Sequence, residues 1–180
     1  MNNMSKKVLI LSGSPRKGGN SDLLCDEFAR GAEKAGHLVE KIHVQDLKIS
    51  GCLACYGCRE THVCVQKDDM AQILEKMIAA DVIVLATPVY FYSLDGQMKT
   101  MIDRTLPRYT EIRDKDFYFI ATAAAGARAI QRTMDALEGF TDCLPGAKVK
   151  GRILGGGVYQ KGEVKESHYM KEAYQMGENI

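Results

Sequence analysis

The sequence predicts an α/β fold, a doubly wound five-stranded parallel sheet with helices on both faces. Three observations carry that prediction. Five apolar stretches of strand length alternate with stretches of helical period, the pattern that successive βαβ units produce. The run VIVLATP, Val82–Pro88, is apolar without a break, as a central strand covered on both faces must be. Turn-forming segments follow three of the strands, at Ser12–Ser21, Thr87–Leu94 and Thr122–Ala127. In such a sheet these loops gather at the carboxyl edge, where ligands bind.

Each element has its own warrant. KKVLIL ends in the first turn, and the helix near Ser21–Ala35 lays Leu24, Phe28, Gly31, Ala32 and Ala35 on one face before Gly36 stops it. HLVEKIHV, His37–Val44, reads as the second strand. The segment 45–67 is irregular and holds most of the cysteines. Met70–Ala80 follows as a helix, with Asp68 or Asp69 as its cap and Ile73, Leu74, Met77 and Ile78 facing inward. After the buried strand come a helix at Gly96–Leu106, a strand at Phe117–Gly126 and a helix at Arg128–Phe140. A last strand, Lys148–Leu154, precedes three glycines, and Ser167–Met176 has the period of a closing helix. No repeat, low-complexity segment or linker divides the chain. The expectation is one domain, residues 1–180, with 45–67 as an inserted cysteine-rich loop.

Composition narrows the function classes. Lys and Arg total 24 against 23 acids, so nothing in the charge points to nucleic acid. No apolar run approaches the ~18 residues that span a bilayer, and MNNMSKKVLI lacks the apolar core of a signal peptide. The expected location is the cytoplasm, with no membrane partner. Six cysteines in that compartment argue against structural disulfides.

Chemistry concentrates in three stretches. SGSPRKGGNS, Ser12–Ser21, joins a strand to a helix start, where unsatisfied amides and the helix dipole favour an anion. Gly13, Gly18 and Gly19 permit close approach, Ser12, Ser14, Asn20 and Ser21 offer short donors, and Arg16 and Lys17 add positive charge. The stretch is neither G-x-G-x-x-G nor a G-K-[ST] loop. Its hydroxyls and amides around a bend suit a terminal monophosphate better than a pyrophosphate. TPVYFYS places Tyr90, Phe91 and Tyr92 at the carboxyl edge, where aromatic surface can lie against a planar ring or finish the core. CLACYGCRETHVC reads C-x2-C-x2-C-x5-C, with Cys52, Cys55, Cys58 and Cys64 able to turn toward one centre. Soft thiolates suit an iron–sulfur cluster or zinc, and a loop of free thiols closing a pocket is the competing reading. His62 in the spacer reads as an exposed loop residue. His37, His43 and His168 read as surface or strand-edge residues, and Cys25 and Cys143 as small buried hydrophobes in helices.

The strand with SGSPRKGGNS, the DDM at Asp68–Met70, PVYFYS and the K-x-x-x-D-R at Lys99–Arg104 together resemble the NAD(P)H-dependent FMN reductase family, over about residues 7–125. The resemblance implies a flavodoxin-like fold. It implies FMN with its phosphate on Ser12, Ser14, Arg16, Asn20 and Ser21, and its isoalloxazine ring against Pro88, Val89, Tyr90, Phe91 and Tyr92. Ala124, Ala125 and Gly126 would then close the other side of the ring. A hydride would come from NADH or NADPH and electrons would leave to a small-molecule acceptor, with no protein acid, base or nucleophile required. Homodimers or homotetramers are expected, and Asp103 and Arg104 take structural roles. The cysteine spacing also resembles the iron–sulfur flavoproteins, which carry a 4Fe–4S cluster beside FMN on the same fold. The chain departs from them after residue 127. Two alternatives therefore stand: an electron carrier with a 4Fe–4S cluster on Cys52, Cys55, Cys58 and Cys64 and a ferredoxin-like partner, and a flavin-binding redox sensor switched through those cysteines.

Overall fold

A computed structural model describes residues 4–180. In chain order the elements are β1 (Lys7–Ser12), α1 (Asn20–Lys34), β2 (Leu38–His43), α2 (Met70–Ala79), β3 (Val82–Tyr90) and β4 (Ser93–Leu94). They continue with α3 (Gly96–Asp103), β5 (Asp116–Ala123), α4 (Ala127–Thr141), β6 (Lys148–Gly156) and α5 (Tyr169–Glu178), with short 3-10 turns between some of them. The parallel sheet runs β2-β1-β3-β5-β6, and the two-residue β4 pairs antiparallel with the end of β3. The five-stranded parallel sheet is as expected, with this one short addition.

Period-two alternation divides the core into two halves. Leu9 and Leu11 of β1, Ile83 and Leu85 of β3, and Phe117 and Phe119 of β5 face one side, where α2, α3 and α4 pack Met77, Met98, Met101, Ile130 and Met134 onto them. Val8, Ile10, Val82, Val84, Tyr118 and Ile120 face the other, covered by Leu24, Cys25, Phe28 and Ala32 of α1 and Ala173 of α5. Burying both faces explains why β3 reads as a continuous apolar run. The chain leaves β1 toward β2 on one side and returns to β3 on the other. The resulting switch point opens a crevice at the carboxyl ends of β1 and β3.

Helices α1 and α5 are pressed together by glycine. A Cβ on Gly31 would lie 2.1 Å from the Tyr174 carbonyl, and one on Gly177 would lie 2.0 Å from the Phe28 carbonyl. Only glycine lets the two backbones approach so closely.

Three sequence expectations are corrected here and a fourth is refined. His37 is buried: its Nδ1 accepts the Lys6 N–H at 3.2 Å and its Nε2 lies 3.2 Å from the Ile180 carbonyl oxygen, so the ring staples the start of β1 to α5's end. Cys143 is exposed and sits in the turn after α4, which stops at Thr141 ahead of Pro145. Helix α3 ends at Asp103 and not at Leu106, because Pro107 disfavours helical backbone just before it. Asp69 is the N-cap residue of α2 as expected, but its side chain accepts from the Lys48 amide and not from the helix, and it is Asp68 that accepts from the Met70 N–H.

Candidate functional site

Three loops meet at the carboxyl edge of β1, β3 and β5 and enclose a cleft of about 220 Å³. Ser14, Arg16, Gly19, Asn20 and Ser21 form its first wall, Pro88, Val89 and Tyr90 its second, and Thr122, Ala123 and Ala124 its third. A fourth wall, Val158, Tyr159 and Lys161, comes from the segment after β6. No sequence pattern marks those three beyond the preceding glycines. They reach the cleft because Gly157 and Val158 donate their N–H groups to the Ala125 and Ala123 carbonyls, laying this segment along the 122–127 loop.

The Ser12–Ser21 turn is held from within by a buried carboxylate. Asp22, in the first turn of α1, accepts from the Ser12 hydroxyl at 3.1 Å and the Gly18 N–H at 2.8 Å, and pairs with Lys41 at 2.7 Å. Burial opposes its ionisation, but the Lys41 ammonium and the Gly18 amide outweigh that and hold its carboxyl below the ordinary range. Ser12 is thereby turned away from the cleft: it is fully buried, with its hydroxyl committed to Asp22. Asn20 lines the cleft yet also spans to its fourth wall, donating to the Gln160 carbonyl and accepting from Val164 N–H. At Gly19 a Cβ would stand 2.8 Å from the Arg16 carbonyl oxygen and 3.1 Å from the Ser14 hydroxyl. The bend therefore admits no larger residue.

Ser21 differs from its neighbours. Its side chain is 1% exposed, and its hydroxyl has no hydrogen-bond partner. A buried hydroxyl without a partner costs about 1–3 kcal/mol. This one lies on the cleft wall in the first turn of α1, among helix amides that have no acceptor one turn earlier. The donors present thus fit a phosphate monoester: an unpaired hydroxyl, helix-start amides, and the Arg16 guanidinium and Lys161 ammonium at the rim.

The second wall is locked to the first by Asp95. This residue caps α3, accepting from Met98 N–H at 2.9 Å, and also accepts from the Thr87 hydroxyl at 2.7 Å. Burial raises its affinity for a proton, against the opposing pull of those donors. Its carboxylate packs on Gly13, where an added Cβ would come within 2.4 Å of the Oδ2 atom.

Between β3 and β4 the chain turns on Phe91 and Tyr92, with φ of 50° and 63°. Two positive φ values in a two-residue hairpin are ordinarily met by Asn-Gly, and here both residues are aromatic. The turn splits the predicted aromatic trio. Tyr90 lines the cleft, Phe91 stands free in solvent, and Tyr92 faces an adjoining hollow together with Ala125 and Gly126. Of the predicted flavin residues, the cleft therefore brings together Ser14, Arg16, Asn20, Ser21, Pro88, Val89, Tyr90 and Ala124. It leaves Ser12, Phe91, Tyr92, Ala125 and Gly126 outside its lining.

Cys52, Cys55, Cys58 and Cys64 line a separate hollow with Arg104, Leu106 and Pro107. All four are free thiols, and among the described residues no three Cys, His, Asp or Glu side chains are gathered to metal-binding distance. In this arrangement the thiols do not form a ready ligand shell. The backbone is left-handed at Ala54, Tyr56 and His62. One buried cation supports the segment: Arg104 clasps both Asp68 oxygens at 2.7 and 2.9 Å and donates to the Ser50 carbonyl at 2.7 Å. It also reaches the Cys64 sulfur at 3.4 Å. Asp68 and Arg104 are thus structural, as expected for Arg104. His62 is exposed, also as expected.

Known proteins place these features in a family. An iron-sulfur flavoprotein of Archaeoglobus fulgidus is 41% identical over 101 residues, which is 56% of this chain and 46% of that protein. The chain thus spans about half the length of that relative. A putative NAD(P)H-dependent FMN-containing oxidoreductase of Bacillus subtilis is 25% identical over 173 residues, covering 90% of this chain and 91% of that one. An NAD(P)H:quinone oxidoreductase structure from Methanothermobacter marburgensis superposes with a TM-score of 0.75 at 18% identity, over 97% of this chain and 96% of that one, a likeness of fold. No described helix is long and apolar enough to cross a membrane. Residues 6–150 match the family described as NADPH-dependent FMN reductase, and the chain belongs to that family.

Proposed function

We propose that the protein is an FMN-dependent oxidoreductase that takes a hydride from NAD(P)H and passes electrons to a small-molecule acceptor. The observation that carries this reading is the unpartnered, buried Ser21 hydroxyl on the wall of the cleft. FMN, when bound, supplies the hydride and electron chemistry. The chain's residues hold and shield it. Ser14, Arg16, Asn20, Ser21 and the first-turn amides of α1 receive the phosphate. Pro88, Val89 and Tyr90 would flank one side of the flat ring, and Thr122, Ala123 and Ala124 another. Tyr159 and Lys161 line the fourth wall. The ionisable side chains of the lining are Arg16, Tyr90, Tyr159 and Lys161. With the flavin supplying the chemistry, the protein's contribution is position and electrostatics.

The test is titration of flavin-free protein with FMN followed by addition of NADPH or NADH and a quinone. About one FMN per chain and nicotinamide oxidation dependent on it are expected. Failure to bind FMN overturns the proposal.

A second reading, a 4Fe–4S electron carrier, draws on the relatives named iron-sulfur flavoproteins and on the four cysteines sharing one hollow. Iron and acid-labile sulfide counted on protein purified without oxygen test it. Assembly as a homodimer or homotetramer is also proposed, because Leu53, Tyr56, Val63 and Val65 are each more than half exposed around the cysteine segment. Sedimentation measures it.

A further inference from the structure

The hollow next to the cleft has a chemistry of its own. It is lined by Tyr92, the 125–127 turn, Arg128, Ala129 and Arg132 and contains no acidic side chain. Arg128 and Arg132 lie one helical turn apart on α4, so their guanidinium groups project from the same face. None of the ion pairs among the described residues involves either arginine. Arg132 instead sits over the Tyr92 ring, 5.4 Å from its centroid. Arg30, Arg108 and Arg152 pair with carboxylates, whereas Arg16, Arg59 and Arg113 are in no ion pair among the described residues; Arg128 and Arg132 differ from those three in sharing one helix face and one hollow with an aromatic ring. Two unpaired guanidinium groups beside an aromatic face match a phosphate monoester carried on a nucleoside.

Position gives the hollow its meaning. The same two loops wall both cavities. Tyr90 faces the cleft while Tyr92 faces the hollow, and Ala123 and Ala124 face the cleft while Ala125 and Gly126 face the hollow. A ligand in one is next to a ligand in the other. We infer that Arg128 and Arg132 bind the 2′-phosphate of a phosphorylated nicotinamide dinucleotide, with Tyr92 against its base, and so select NADPH over NADH. The inference rests on the proposed flavin site, because it makes this hollow the outer half of the donor's binding path.

The measurement is titration of FMN-loaded protein with 2′,5′-ADP, 5′-AMP and inorganic phosphate, in the wild type and in Arg128→Gln, Arg132→Gln and the double variant. Wild type should bind 2′,5′-ADP at least about tenfold more tightly than 5′-AMP, the ratio that charge-assisted pairs to one phosphate give. The double variant should lose that preference and most of its salt dependence while keeping its FMN content and its melting temperature. Equal binding of the two nucleotides by wild type, or an unchanged preference in the double variant, overturns the inference. Binding of inorganic phosphate as tight as that of 2′,5′-ADP would show an adventitious anion site and also overturn it. If the protein takes up no FMN, the titration is run on the flavin-free chain. Loss of the 2′,5′-ADP preference in the double variant would then support the arginine site while the flavin reading fails.

Discussion

At the scale of single residues, the most telling group is the hydroxyl of Ser21, which the fold buries without a partner. Its removal separates stability from binding. Ser21→Ala should leave the flavin-free protein within about 1 kcal/mol of wild type, because an unsatisfied donor is exchanged for a methyl group. The same change should weaken FMN binding about tenfold, the loss expected of a single hydrogen bond to a charged phosphate. Denaturant unfolding and fluorescence titration read the two effects, and an unchanged FMN affinity would place the phosphate elsewhere. Asp22 behaves in the opposite way. Its folded carboxyl titrates below the ordinary 3.8. The stability it contributes is therefore fully present above that value and disappears as pH falls through the lower, folded one. Asp22→Asn should flatten this part of the acid limb and cost stability at neutral pH, where it leaves the Lys41 ammonium with Asp26 as its one carboxylate partner. An acid limb identical to wild type would show that Asp22 is not the group that titrates. A sequence reader sees Ser21 as one donor among several and Asp22 as an ordinary first-turn acid. Their burial is what distinguishes them, and at Asp22 it comes with Lys41 and His43 of β2 beside the carboxylate.

At the scale of elements, the strands and helices were legible because each carried a clean period or an unbroken apolar run. Boundaries moved by a few residues where local chemistry intervened, as Pro107 did at the end of α3. The cysteine segment was legible as a pattern but not as a shape. Its conformation depends on a long-range contact that no local spacing encodes, the burial of Arg104 from α3's end beneath Ser50, Cys64 and Asp68. Left-handed backbone at Ala54 and Tyr56 costs about 1–2 kcal/mol per residue. The Arg104 anchor offsets it. Arg104→Met keeps the volume and leaves Asp68 without its cation, so it should destabilise the protein by about 3–5 kcal/mol. Amide exchange should accelerate across residues 50–68 before it does in the sheet. A loss below about 1 kcal/mol would mean that the segment holds itself.

At the scale of the whole molecule, the doubly wound sheet was readable from alternation alone, and the crevice followed from its topology. What could not be read was the fourth wall. Val158, Tyr159 and Lys161 follow a run of glycines with no motif, and they are held at the cleft by backbone bonds to Ala123 and Ala125 and by Asn20's bonds to Gln160 and Val164. The contact between Gly13 and Asp95 has a wider consequence. The carboxylate occupies the space a Cβ would take and also fastens Thr87 and the start of α3. The first and second walls of the cleft therefore cannot shift independently. Ordering either one reduces the conformational freedom that the other has left to lose. By thermodynamic reciprocity, the two ends of a bound flavin must then assist each other's binding. Riboflavin, which lacks the phosphate, would forfeit that assistance in addition to the contacts the phosphate itself makes.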